Sequence, residues 1–188
     1  MPVDTSKRTT VIMAGTGGRG VLAAARTLAA AVASRYPYVS WLPSYAVSQR
    51  GGSCECTVSF SPDYIACPLV LRSESVVVFD VSQLKAFEDR VRTGGTLIVE
   101  STDTNFTLER KDITVYRVPA LKLANDTGDA SSLNFVLLGA YLRSCGMPVA
   151  DIQAEIRKKY SAKEPVAASN LRALDAGWQF LCKETGGA

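Results

Sequence analysis

Residues 10–22 read Thr10-Val-Ile-Met-Ala-Gly-Thr-Gly-Gly-Arg-Gly-Val-Leu22. Val11 to Ala14 is a short apolar run of the kind that forms a buried strand. It runs into Gly15-Thr-Gly-Gly-Arg-Gly20, and then into Val21-Leu-Ala-Ala-Ala-Arg-Thr-Leu-Ala-Ala-Ala31, a segment of strong helix formers. Strand, glycine loop and helix in that order give G-x-G-x-x-G its mechanism. Gly15 is expected to permit the tight turn, Gly17 a close approach of backbone to a ligand, and Gly20 the packing of helix on sheet. The first N–H groups of a helix have no internal acceptor, and with the helix dipole they favour an anion such as phosphate. Gly18 and Arg19 complete the candidate loop. A plain βα turn that binds nothing needs one glycine, and this one has four and an arginine.

A nicotinamide or flavin dinucleotide is the usual ligand of such a loop. That fold places Asp or Glu about 20 residues on, at the end of the second strand, against a ribose hydroxyl. The corresponding region here is Val39-Ser-Trp-Leu-Pro-Ser-Tyr45, which holds no acid. The loop therefore favours an anionic ligand, or a phosphate on one, over NAD.

Working outward, Tyr38 to Leu42 reads as a second strand and Pro43 to Gly52 as a loop. Ser53 to Phe60 alternates, with Cys54, Cys56, Val58 and Phe60 on one face and Glu55, Thr57 and Ser59 on the other, as in a half-buried strand. Ser61-Pro-Asp63 is a turn. Ser75-Val-Val-Val-Phe-Asp80 is an apolar run ending in an acid, typical of a central parallel strand. Ser82 to Val91 reads as a helix with Leu84, Phe87 and Val91 on one face, closed by Gly94-Gly95 and followed by the strand Thr96 to Val99. Ile113, Val115 and Val118 mark a further strand, and Pro119 opens a helix to Asn125. Three helices follow: Leu133 to Cys145, capped by Ser131 or Ser132 and ended by Gly146 and Pro148; Asp151 to Tyr160; and Pro165 to Lys183, with an apolar stripe of Leu171, Leu174, Trp178 and Leu181. The implied class is α/β, a Rossmann-like, mainly parallel sheet flanked by helices, with a helical C-terminal third.

The 188 residues suit one domain, residues 1–188, with a real core. Apolar residues are 47% and charged residues 21%, as in globular proteins, and a net charge of +3 does not by itself argue for nucleic acid or membrane. No apolar stretch reaches membrane-spanning length, and Met1 to Arg8 lacks a signal peptide's apolar region, so a cytoplasmic location is expected. The five cysteines are odd in number and form no C-x-x-C pair, so no cluster or zinc signature is present, and Cys54 and Cys56 read as packing residues. The absence of histidine removes Ser-His and Cys-His triads. Chemistry must rest on carboxylates, lysine, backbone or a borrowed cofactor.

A second constellation is Ser44-Tyr45 with Arg50-Gly51-Gly52, after a strand, where open α/β sheets bind ligands. Arg50 beside two glycines can present a guanidinium to a phosphate or carboxylate, or can simply be solvated. Together, Gly15 to Leu22, Pro43-Ser-Tyr45 and Arg50-Gly-Gly52 resemble the gamma subunit of the 2-oxoacid:ferredoxin oxidoreductases. So do Ile65-Ala-Cys-Pro68, Val118-Pro-Ala120, Leu123-Ala124, Gly128, Asn134 with Leu138-Gly139, and Asn170 with Ala176-Gly177. In order, these cover residues 10 to 178.

The resemblance implies a complex that decarboxylates a 2-oxoacid on thiamine diphosphate and passes electrons singly through iron–sulfur clusters to ferredoxin or another acceptor. Coenzyme A takes the acyl group. It places thiamine diphosphate, Mg and [4Fe-4S] clusters on the partner alpha/beta and ferredoxin-like subunits, and leaves room for FAD in the complex. It gives the gamma chain no catalytic residue and no metal, but a part in receiving coenzyme A and in assembly. The ligand set it implies is Gly15, Gly17, Gly18, Arg19, Gly20, Ser44, Tyr45, Arg50, Gly51, Gly52 and Asn134. The family often has Gln at Arg19, and Gly and Glu at Ala46 and Ser48, which puts the precise contacts of both loops in question. An independent dinucleotide-binding oxidoreductase and a purely structural scaffold subunit remain the alternatives. The 2-oxoacid, whether pyruvate, 2-oxoglutarate, branched-chain or aryl, is not written in this chain.

Overall fold

The computed structural model describes residues 7–45, 52–102 and 104–185. The apolar run of the opening stretch forms β1 (Thr9–Thr16), and the alanine-rich segment after the glycines forms α1 (Val21–Val32). Then come β2 (Tyr38–Tyr45), β3 (Ser53–Ser61), β4 (Ser73–Val78), α2 (Leu84–Phe87), β5 (Val91–Glu100) and β6 (Thr114–Val118). The C-terminal third is helical: α3 (Ala120–Asp126), α4 (Leu133–Ser144), α5 (Ala150–Lys159) and α6 (Glu164–Thr185).

The six strands form one sheet in the order β2-β3-β1-β4-β5-β6. β1, β4, β5 and β6 are parallel neighbours, while β3 runs antiparallel to both β1 and β2. The central strands carry unbroken apolar runs because both faces are covered. Val11, Met13, Val77, Phe79 and Ile98 pack under the helices α1 and α3 to α6. Ile12, Ala14, Val76, Val78, Leu97 and Val99 pack on the opposite face with Leu84 and Phe87.

Three sequence expectations are corrected. First, the segment from Ser82 is not one helix. A 3-10 turn (Val81–Gln83), the single turn α2 and a second 3-10 turn (Glu88–Arg90) lead into β5, which contains Gly94 and Gly95. Leu84, Phe87 and Val91 do share a buried cluster, which is why their spacing imitates one helical face. Second, β2 continues through Pro43 to Tyr45. It is an edge strand, where a missing N–H costs no ladder bond on the solvent side. Third, β3 is not half-exposed: Thr57, Ser59 and Ser61 are buried as well as Cys56, Val58 and Phe60. Residues 62–72 cross over that hydroxyl face, where Ser59 meets Thr10 Oγ1 at 3.1 Å and Arg8 donates to Ser59 Oγ and to the Cys67 carbonyl.

Burial pushes the Cys56 thiol up to about 12, that of a packed and unreactive side chain. Cys54 is half-buried, and burial raises its thiol too.

α4 is buried on every side from Leu133 to Leu142. Its partner is α6, and the two backbones touch. A Cβ on Gly139 would land on the Leu174 carbonyl, and one on Gly177 on the Val136 carbonyl. Ser132 stands at the N-cap of α4 but makes no side-chain capping bond, and Asp129 caps the 3-10 turn (Ala130–Ser132) that precedes it. Asp129 accepts from Ser131 N at 2.9 Å, and the Ser132 hydroxyl reaches across to Asn170 Oδ1 at 2.9 Å. Hydrogen bonds from Ser131 lower the Asp129 pKa, and smaller contributions from Ser132 and Ser169 add to this.

Candidate functional site

β1 ends between two unlike neighbours, antiparallel β3 on one side and parallel β4 on the other. The chain leaves β1 through α1 on one face of the sheet and leaves β4 through α2 on the other. The crevice outside the carboxyl ends of β1 and β4 is therefore a topological switch point, the position where open α/β sheets take ligands.

The glycines build this crevice in roles other than those expected. Gly15 lies within β1, and a Cβ there would meet Phe79 Cβ at 2.9 Å and Val21 Cγ2 at 3.0 Å. Gly15, rather than Gly20, is thus the residue that lets helix and strand approach. Gly18 and Gly20 make the turn, with φ of 93° and 75°. Gly20 is also wedged against Asn134, whose side chain a Cβ would meet at 2.8 Å. The Asn134 amide donates to the Gly20 carbonyl at 3.3 Å. The structure thus places Asn134, buried at the start of α4, behind the loop as its support. The first intrahelical bond of α1 is Ala24 N to Gly20 O at 3.1 Å, so the amides of Val21, Leu22 and Ala23 have no acceptor within the helix. Beyond Gly18 a Cβ would meet nothing within 4 Å, so the loop's outer side is open.

An acid does reach this loop, from β4 rather than from β2. Asp80, two residues past the end of β4, accepts the Thr16 hydroxyl at 2.8 Å and Arg19 Nε at 3.3 Å on Oδ2, and Ser82 N at 3.0 Å on Oδ1. Burial pushes its carboxyl up, but the bonds from Ser82 and Thr16 and the Arg19 guanidinium outweigh that and leave the pKa below the usual carboxylate range. The sequence signal was the acid closing the Ser75-to-Asp80 run. The ribose acid sought at the end of β2 could not have served, because β3 stands between β2 and β1.

The second constellation is partly brought in. Gly52 accepts the Gly17 N–H at 3.1 Å, so the two loops meet through backbone. Tyr45 and Gly15 both lie level with Cys54, one on each side of β3, which sets them about 10 Å apart across two strand spacings. Ser44 shares this sheet end, but its side chain faces an outer groove of about 470 Å³ with Leu42, Glu55, Leu69, Leu71 and Arg90. Arg50 and Gly51 lie outside the described residues, as do Ala46 and Ser48.

That outer groove is bounded by a rigidly held strap. Arg90 donates to the carbonyls of Leu71 and Val70 at 2.5 and 3.1 Å and forks onto Glu55. The strap nevertheless turns Tyr64, Leu69 and Leu71 to solvent at 75%, 73% and 86% exposure. No group of three or more His, Cys, Asp or Glu comes together among the described residues, and no described helix is long and apolar enough to cross a membrane.

The family model described as "Pyruvate ferredoxin/flavodoxin oxidoreductase" matches residues 10–180. The chain is 32% identical over 190 residues to the ketoisovalerate oxidoreductase subunit VorA of Methanothermobacter marburgensis, covering 99% of this chain and 40% of that one. It is 30% identical over 182 residues to the 2-oxoglutarate synthase subunit KorC of the same organism, covering 93% and 97%. Thus the chain spans about two fifths of one relative and nearly all of the other. A solved 2-oxoglutarate:ferredoxin oxidoreductase from Magnetococcus marinus, with 2-oxoglutarate, coenzyme A and succinyl-CoA bound, superposes with a TM-score of 0.85 at 23% identity, over 95% of this chain and 31% of that one. The pyruvate oxidoreductase subunit PORC of Thermotoga maritima superposes with a TM-score of 0.76 at 27% identity, over 92% and 96%.

Proposed function

The chain belongs to the pyruvate ferredoxin/flavodoxin oxidoreductase family, and from that premise we propose that it is the gamma-type component of a complex that converts a 2-oxoacid and coenzyme A to acyl-CoA and CO2. In this reading, ferredoxin or another acceptor takes the electrons, and thiamine diphosphate, Mg and iron–sulfur chemistry resides on partner chains. The observation that carries the reading for this chain is the open crevice at the ends of β1 and β4. It combines free α1 amides, a space beyond Gly18 and the Arg19 guanidinium, a set that fits the phosphate groups of coenzyme A. The solved 2-oxoglutarate:ferredoxin oxidoreductase with coenzyme A bound supports that choice of ligand, since it shares the fold over 95% of this chain. The exposed Tyr64, Leu69 and Leu71 support a place in a larger assembly, because such side chains on a fixed strap suit a partner surface better than water.

The test uses the complex purified from its native source. Arg19→Ala removes a charge-assisted contact worth roughly 1.5–3 kcal/mol, or about 10- to 100-fold in affinity. The expected result is a KM for coenzyme A raised by about that factor with the KM for the 2-oxoacid held, in a complex whose subunit composition matches the parent's. An unchanged KM for coenzyme A in an intact complex would remove the glycine loop from the ligand site.

A further inference from the structure

Arg19 is a long, flexible cation on a loop, and a free guanidinium there would sample many orientations. The structure gives it one. Its Nε is committed to Asp80 Oδ2, which the Thr16 hydroxyl also binds, while Ser82 N holds the other carboxylate oxygen. Asp80 is 16% exposed, whereas Arg19 is 41% exposed. The carboxylate is thus fixed by β1 and by the turn after β4, and it in turn fixes the arginine. Donation through Nε leaves the two terminal nitrogens of the guanidinium as a planar fork, the geometry that matches two oxygens of a phosphate.

Resting on the coenzyme A reading above, we infer that Asp80 is a positioning residue that aims the Arg19 fork at a phosphate group of coenzyme A across the start of α1. Asp80 touches no ligand itself. Two opposed effects decide the sign of its contribution. As a counter-charge it weakens the attraction of Arg19 for an anion, but at a partly exposed site in high dielectric that attenuation is small. As a clamp it removes the orientational freedom that binding would otherwise have to freeze, and this favours the ligand. The clamp effect dominates here, since the Thr16 hydroxyl and Ser82 N already hold the Asp80 carboxylate in place.

The experiment is a double-mutant cycle in the assembled complex, reading KM for coenzyme A and kcat separately. Asp80→Asn keeps the shape and an acceptor for Ser82 N, but turns an N–H toward Arg19. Its expected effect is a KM raised about 3- to 10-fold with kcat held. In an Arg19→Ala background the same change is expected to add less than twofold, because Asp80 then has nothing to aim. Thr16→Val, which removes only the hydroxyl bond to Asp80, is expected to have a smaller effect than Asp80→Asn. A lowered KM in Asp80→Asn would show a mere counter-charge and overturn the inference. So would an unchanged KM, or a full additional rise in the Arg19→Ala background, which would mean that Asp80 acts on the loop as a whole. If Arg19→Ala itself leaves KM unchanged, the coenzyme A reading fails together with the inference. An effect of Arg19→Ala without the expected coupling leaves the reading standing and removes only Asp80.

Discussion

Gly177→Val is expected to abolish the native packing of the C-terminal third. The α4–α6 contact is backbone on backbone, and any Cβ at 177 falls on the Val136 carbonyl while Gly139 faces the Leu174 carbonyl from the other side. The side chain cannot rotate away from a clash made by its own Cβ, so the helices must separate. α4 is buried over Leu133 to Leu142 and lies against the same sheet face as α1, which gives the separation no cheap direction. Overpacking costs roughly 1–3 kcal/mol where side chains can shift, and more here because the clash is with backbone. For a chain of this size that lowers the thermal midpoint by about 10 °C or more, or yields insoluble protein. A midpoint within about 2 °C of the parent's by circular dichroism would show that the helices can part freely.

The second large effect is expected on assembly. Leu69 and Leu71 stand 73% and 86% exposed on a strap whose backbone Arg90 holds through the carbonyls of Val70 and Leu71. A residue so exposed adds little to the fold, so Leu69→Asp with Leu71→Asp should leave the thermal midpoint of the chain close to the parent's. Burying two leucines at a partner surface is worth roughly 3–6 kcal/mol, so the pair of charges should weaken association by about 100-fold or more. Co-purification and analytical ultracentrifugation of the complex check this. A double variant that assembles like the parent would place the subunit interface elsewhere on the chain.

What could be read from the sequence was local. The Val11-to-Ala14 run, the four glycines and the alanine-rich segment place a strand, a turn and a helix where the structure has them, because each follows from the residues within one window. Of the Leu171, Leu174, Trp178, Leu181 stripe on α6, Leu174 and Leu181 are fully buried and Leu171 and Trp178 partly so, while Gly177, which makes the backbone contact, lies outside it. What escaped was set by distant partners. Nothing near Ser53 to Phe60 says that this strand inserts antiparallel between β1 and β2, or that residues 62–72 cover its hydroxyl face. Pro43 looks like the end of a strand until β2 is known to be at the sheet edge. Asp80 read as the end of a central strand, and only the parallel β1–β4 pairing brings it to Thr16 and Arg19, 64 and 61 residues away. The glycine assignments failed in the same way: Gly15 meets Phe79, and Gly20 meets Asn134, neither of which the motif contains.

We propose that coenzyme A enters the crevice at the start of α1. Hydrogen exchange on the purified complex, with and without coenzyme A, tests it at the amides themselves. Val21, Leu22 and Ala23 have no acceptor within the helix, so their exchange should be fast without ligand and slowed about tenfold or more when phosphate oxygens accept from them. Slowing at residues 21–23 on addition of coenzyme A is the predicted result. Saturating coenzyme A that slows exchange elsewhere in the complex and leaves these residues unchanged would contradict it.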